Sequence, residues 1–142
     1  MMISTRGRYA LRVMLDLAEN QNDSYIPLKD IAKRQEISGK YLETILPVLI
    51  KNRYLEGLRG KGGGYRLSRK PESYTIGSIL KLLESGIAPV ACLEDGENNC
   101  VRAVECKTLP MWEALYKMID DYFEGITLAD LCENQKPIDF VI

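Results

Sequence analysis

The chain has 142 residues, 46% of them hydrophobic and 27% charged, with a formal net charge of −1 and no histidine. That length suits one ordinary core or a small domain with an appendage, and no apolar run approaches the roughly 18 residues of a membrane span. With no spanning segment and no signal-peptide pattern, a cytoplasmic protein is expected.

The near-neutral sum hides a division. Residues 1–70 hold 14 Lys and Arg against 7 Asp and Glu, a balance of +7, whereas residues 71–142 hold 5 against 13, a balance of −8. A basic half beside an acidic half suits a nucleic-acid reader joined to a module with another task.

In chain order, residues 4–19 predict an amphipathic helix capped by Ser4 or Thr5, with Ala10, Val13, Met14 and Leu17 on one side. Thr5 and Arg6 stand at its start, where a hydroxyl, a cation and a helix N-terminus all suit phosphate. Residues 20–25 read as a polar turn. Pro27 suits a first helical position, and Leu28, Ile31 and Ala32 form one apolar stripe. Ser38 is a good N-cap for a second helix with Leu42, Ile45, Leu46 and Leu49 inward. Gly39, Lys40, Tyr41, Glu43 and Thr44 then face outward near its start. In a helix-turn-helix, this first turn of the second helix meets base edges in the major groove.

Pro47 lies well inside that helix, so a kink or an early tightening is expected there. Arg53 to Leu58 and Gly64 to Arg69 are expected as the strands of a hairpin. Its tip, Arg59-Gly60-Lys61-Gly62-Gly63-Gly64-Tyr65, is flexible enough to approach a surface closely and carries two cations. The fold class that follows is mainly α with a small β-hairpin wing: a winged helix-turn-helix.

Residues 70–74 read as a connection, and Thr75 caps a further helix that buries Ile76, Ile79, Leu80 and Leu83 and ends near Gly86. Residues 87–106 show no helical period; Pro89, Gly96 and Asn98-Asn99 mark a loop bearing Cys92, Cys100 and Cys106. A long helix is expected from Lys107 or Thr108 to Glu124, with an apolar seam of Trp112, Leu115, Ile119 and Tyr122. Burying several such side chains is worth on the order of 10 kcal/mol before entropy is subtracted. Pairing with a second copy would supply that burial and set two wings on a palindromic site. Packing against the DNA-binding half is the alternative. Thr127 to Asp130 predict a small capped helix whose Leu128 and Leu131 fold back on the long one, and 134–142 read as a tail. The organisation is thus 1–86 as a winged helix-turn-helix DNA-binding domain, 87–106 as a cysteine-bearing sensor loop, and 107–142 as a dimerisation helix with its tail.

The spacing Cys-x7-Cys-x5-Cys is not the paired pattern of a zinc ribbon. Without histidine, every ligand set containing a protein imidazole is eliminated. Three clustered thiols suit an iron–sulfur cluster, with Glu105, Cys132, a group from a second subunit or an exogenous thiol as a fourth ligand. A metal-free thiol switch and incidental cysteines are the competing readings. No enzyme is read: a cysteine nucleophile lacks a histidine base, and the glycine run lacks the spacing of a phosphate-binding loop.

The segments ISTRGRYALRVMLDLA, ISGKYLETIL, RGKGGGYRLS and ITLADL, with a three-cysteine loop before a Trp-bearing helix, resemble the Rrf2 family of bacterial winged-helix regulators. The resemblance covers nearly the whole chain and is strongest to members that carry an iron–sulfur cluster. It implies a homodimeric transcription regulator, repressor or activator, with a [2Fe–2S] cluster on Cys92, Cys100 and Cys106. Cluster occupancy would alter which DNA sites are bound, commonly at iron–sulfur assembly genes. It also implies Ser38, Lys40, Tyr41 and Glu43 at the major groove, and Arg59 at the minor groove with Lys61, Gly62 and Gly63 beside it on the wing.

The chain departs from that pattern in having Leu109 where such members place a histidine, and in a longer first cysteine interval. Arg8 and Arg12 occupy the first helix, from which some relatives offer an acidic ligand to the partner. A metal-free thiol or cysteine-metabolism regulator of the same family is the alternative. Such members lack the triplet but share the Pro-Val after residue 88 and the aromatic tail.

Overall fold

The computed structural model describes residues 2–94 and 100–133; Gly96, Asn98-Asn99 and the expected tail at 134–142 lie outside the described residues. Helix α1 spans Thr5–Glu19, and Ser4 caps it by accepting the Gly7 N–H, one of the first-turn donors that a helix leaves unmade. Its Ala10, Val13, Met14 and Leu17 are buried, as their spacing requires. Helix α2 (Leu28–Gln35) begins one residue later than expected, because Pro27 is in extended geometry and serves as its cap. Helix α3 (Gly39–Lys51) is capped by Ser38, which accepts from the Tyr41 N–H, and it runs through Pro47 without ending there.

Asp16, only 1% exposed, orients the first two helices. Its carboxylate accepts from Arg34 Nε at 2.9 Å, Arg34 Nη2 at 2.7 Å and Gln35 Nε2 at 3.0 Å, so the buried charge is neutralised and hydrogen-bonded. The turns after α2 and α3 use Glu36 (φ 54°) and Arg53 (φ 61°) in the left-handed region. After α3, Arg53 N–H bonds to the Ile50 carbonyl and Tyr54 N–H to Leu49, the paired closure that ends a helix without glycine. This is why the first wing strand, β1, is Leu55–Leu58 rather than starting at Arg53.

Strand β2 is Gly64–Leu67, also shorter than expected, and pairs antiparallel with β1 in the register Leu55 with Leu67 and Leu58 with Gly64. Ile26 adds a one-residue bridge on the free edge of β2, exchanging both backbone bonds with Tyr65 at 2.8 Å. A side chain at Gly64 would overlap the Ile26 carbonyl, and its φ of 148° is open mainly to glycine. The base of the hairpin is closed by Tyr74, which is fully buried. Its hydroxyl donates to the Tyr54 carbonyl at 2.8 Å and accepts the N–H groups of Ser68 at 3.1 Å and Arg69 at 3.0 Å.

Helix α4 (Ile76–Leu83) is capped by Thr75, and α5 (Leu109–Glu124) starts just after the expected Lys107 or Thr108. Thr75 also donates to Glu124 Oε2 at 2.8 Å, while Lys81 bonds Glu124 at 3.0 Å and Asp120 at 2.5 Å, clasping α5 to α4. Helix α6 (Leu128–Glu133) carries the expected capping box, with Thr127 and Asp130 bonding each other's backbone N–H. Its destination differs from expectation. Leu128 enters the main core beneath α1, and its N–H bonds the Tyr74 carbonyl at 2.9 Å, so α6 packs mainly on α1 and residues 71–73, and of the two expected contacts only Leu131 shares a cluster with α5. Leu131 joins a second cluster with Ile76, Leu80, Ile87, Ile119 and Phe123.

Replacing Tyr74 with Phe keeps the ring but removes three hydrogen bonds at the wing base, stranding the Arg69 N–H and leaving Ser68 N–H and the Tyr54 carbonyl only their 3.4 Å bond to each other. A loss of about 1–3 kcal/mol is expected in urea unfolding, read as a lower midpoint at unchanged slope. An unchanged midpoint would show that the hydroxyl does not anchor the wing.

Candidate nucleic-acid interface and cysteine segment

The first turn of α3 is an open surface. Lys40, Glu43 and Thr44 are exposed, and Tyr41 is half-buried, its ring edge-on to Tyr9 at 5.2 Å. Neither Lys40 nor Glu43 makes a hydrogen bond or ion pair among the described residues, so each is available to a partner. An acid at this position repels phosphate but can accept from a cytosine amino group. Ser38 is exposed, but its oxygen is engaged in capping, which leaves its hydroxyl proton for an outside acceptor.

Arg6 lies against the same helix, its Nη2 donating to the Thr44 carbonyl at 3.1 Å. Thr5 is exposed beside it and accepts from Arg8 Nη2 at 3.1 Å. The start of α1 and the start of α3 therefore form one polar edge, which the sequence alone had not joined.

Across from the second half of α3 stands the wing. Pro47, Ile50 and Lys51 of α3, Pro27 and Leu28 at the start of α2, and Leu58 and Arg59 of the wing line a shared groove. Gly63 also lines it, while Lys61 and Gly62 form the exposed tip. Gly60 (φ 93°) and Gly62 (φ 77°) make the tip turn, closed by Gly63 N–H to the Gly60 carbonyl at 3.0 Å. Arg59 and Lys61 make no bond or ion pair among the described residues, whereas Arg66 is paired with Glu56 and stacked on Tyr25. Arg69, too, is occupied, lying over the Tyr54 and Tyr74 rings at 4.9 and 4.6 Å. The cations of the wing thus separate into structural ones at its base and available ones at its tip.

The cysteines sit in the other half. Cys92 is half-buried in a short 3-10 turn (Ala91–Leu93), Cys100 is exposed, and Cys106 is half-buried just before α5. None of these, nor Cys132, is in a disulfide. Among the described residues no three Cys, Asp or Glu side chains converge on a metal-binding spacing. Cys106 is held below the ordinary thiol range by hydrogen bonds from the Thr108 side chain and backbone. Burial pushes the Cys132 thiol up, with the carboxylates of Glu19, Glu133 and Glu72 adding to it.

A thiol held low is more ionised near neutral pH, and the thiolate is the nucleophile. Iodoacetamide at pH 7 should therefore alkylate Cys106 several-fold faster than Cys132, as read by peptide mass spectrometry. The gap should narrow as pH rises above both thiol values. Equal rates at pH 7 would contradict the assigned environments.

A family model described as "Iron-dependent Transcriptional regulator", Rrf2, matches residues 3–134. The chain is 35% identical over 136 residues to an HTH-type transcriptional regulator IscR of Erwinia tasmaniensis, covering 96% of this chain and 81% of the relative. The structure of CymR, the global cysteine regulator of B. subtilis, superposes with a TM-score of 0.78 at 33% identity, covering 96% of this chain and 99% of that one. T. potens IscR superposes with a TM-score of 0.74 at 31% identity, covering 96% of this chain and 89% of that one. The wing, the capped recognition helix and these likenesses lead to one conclusion: the chain belongs to the Rrf2 family of winged-helix transcriptional regulators and is similar to IscR.

Proposed function

We propose that this regulator reads duplex DNA as a homodimer and that its affinity is tuned by an iron–sulfur cluster, of the [2Fe–2S] kind, on Cys92, Cys100 and Cys106. The observation that carries the reading is one open polar edge, Arg6 with Lys40 and Glu43, on the same body as a segment of three thiols. The likeness to proteins named IscR supports the sensor.

The donor set suits such a cluster in kind: three thiols outside any disulfide, one held toward its thiolate, and no imidazole in the chain. Leu109 cannot ligate, so the fourth position falls to Glu105, Cys132, a partner group or an exogenous thiol. When bound, the cluster supplies a soft, redox-active thiolate centre. Segment 87–106 has to gather its sulfurs for this, drawing on its anchors at Ile87 and at the start of α5.

Division of labour follows the charge asymmetry, with 1–86 reading DNA, 87–106 sensing and 107–142 pairing. On α5, Met111 (54% exposed), Leu115, Met118 (69%) and Tyr122 recur at spacings of four, three and four, an apolar stripe that suits a second copy. Ile119, expected on that seam, instead faces the second core cluster. A two-fold dimer presents two reading edges and matches a palindromic operator. In that complex Lys40 and Tyr41 meet base edges, Thr5 and Arg6 the backbone, and Arg59, flanked by Lys61, Gly62 and Gly63, a narrow minor groove.

A second reading, a metal-free thiol or cysteine-metabolism regulator, is favoured by the CymR likeness. Anaerobic treatment of the full chain with iron and sulfide separates the two. A coloured product with equal iron and sulfide, changed duplex affinity and twice the monomer mass by light scattering is expected. A colourless product whose duplex affinity still answers to oxidants would favour the thiol reading.

Glu43→Ala should broaden the sites recovered from a randomised duplex pool, because the acid that penalises mismatched bases is gone. The expected relaxation is about 5- to 150-fold at the affected base pair, in line with the usual 1–3 kcal/mol of one base contact. An unchanged site preference would remove Glu43 from the reading edge.

A further inference from the structure

Glu84, the residue that ends α4, has no part in the function proposed above, yet its carboxylate is tightly held. Its Oε1 accepts the Ser4 backbone N–H at 2.9 Å and the Ser4 hydroxyl at 2.8 Å. The Ser4 oxygen in turn accepts the Gly7 N–H at 3.0 Å. Two donors from the first turn of α1 thus drain, directly or through one hydroxyl, onto an anion beside a helix N-terminus, where negative charge is favoured. Gly7 is buried, and a side chain there would overlap Oε1, so the approach is open only because residue 7 is glycine.

What lies on either side of this contact gives it a role. Beyond Glu84 the chain enters the cysteine-bearing segment, and Glu94, two residues past Cys92, lies against Gly86. Ile87 and Ile3 pack in the same apolar cluster, so the root of the segment and the start of α1 are joined by apolar as well as polar contact. Two residues past Ser4, Arg6 bonds the Thr44 carbonyl of the recognition helix. The first turn of α1 is therefore tied to the root of the cysteine segment by Ser4 and Ile3, and to the reading edge by Arg6.

We propose that Glu84 is a positioning residue for DNA recognition, holding the first turn of α1 to the root of the cysteine segment so that rearrangement there is passed to Arg6 and α3. This rests on the reading of residues 87–106 as a sensor. When the segment gathers its sulfurs, the end of α4 shifts and the Glu84–Ser4 contact either follows or breaks. The two arrangements then present Arg6 and Thr44 differently. Coupling of this kind requires the Glu84–Ser4 contact to have two states, made and broken.

The test compares the full chain before and after anaerobic loading with iron and sulfide, titrated with a duplex selected by the parent from a randomised pool. In the parent, loading should change affinity by a factor on the order of 5–100. Glu84→Ala should shrink that ratio to less than about twofold, and Glu84→Gln, which keeps an acceptor oxygen, should retain most of it. Gly7→Ala, which expels the carboxylate from the other side, should reproduce Glu84→Ala. Amide exchange gives a second readout: loading should change protection at residues 4–7 in the parent and not in Glu84→Ala. If Glu84→Ala fails to melt cooperatively, Ser4→Ala, which removes the hydroxyl link together with the α1 cap and leaves the Ser4 N–H on Glu84, should lower the ratio in the same direction. A parent that responds while Glu84→Ala keeps its ratio overturns the coupling alone, as does an equal loss in both forms, the mark of a merely structural role. A parent indifferent to loading discards the sensor and the coupling together.

Discussion

The wing depends on one hydroxyl. A hairpin with four residues in each strand is marginal by itself, and its outer face is open to water. Tyr74 supplies what is missing by binding the residue before β1 and the two residues after β2, which sets the spacing of both strand ends from inside the core. Its backbone carbonyl receives Leu128, so the same residue seats α6. The glycine-rich tip can then be loose, because the strand ends behind it are not. Arg69, stacked over the Tyr54 and Tyr74 rings, shields this anchor from solvent and is thereby withheld from any ligand.

Carboxylates laid over helical glycines recur as fasteners. Glu84 lies over Gly7 and bonds the cap of α1; Glu124 lies over Gly77 and bonds Thr75, the cap of α4. In each case an anion meets the positive end of a helix through a capping hydroxyl, and glycine allows the close approach. Asp16 makes a different kind of joint, fully buried and bonded to both Arg34 and Gln35, which is costly to break because it would leave a charge in the core. Asp16 fixes α1 against α2, and α1 in turn meets α3 through Arg6 on the Thr44 carbonyl and Tyr9 on Tyr41, which sets the geometry of the open edge.

The acidic half is built less tightly. Helix α5 buries no residue completely and shows water a stripe of methionines, leucine and tyrosine. An apolar stripe of that length suits association more than solvation. The thiols lie between this helix and α4, at the junction where a change in the segment has leverage on both. In the proposed division, reading, sensing and pairing occupy successive parts of the chain, while α6 returns to pack on α1 in the first part.

Much of this was legible in local pattern. Apolar periodicity and hydroxyl caps are properties of neighbouring residues, so Ser4, Ser38 and Thr75 mark helix starts correctly, and the glycine-rich run marks the hairpin. The charge division, the three-thiol segment and the outward Lys40 and Glu43 are likewise written in order along the chain. Only the tertiary structure decided that Ile119 turns inward while Leu115 stays exposed, and that Leu128 leaves α5 for the main core. Only it could pair Asp16 with Arg34, Tyr74 with Tyr54, or Ser4 with Glu84 eighty residues away. A period says which residues share a face; what that face meets is set by the packing of distant elements, where a single hydrogen bond or a missing side chain selects the partner.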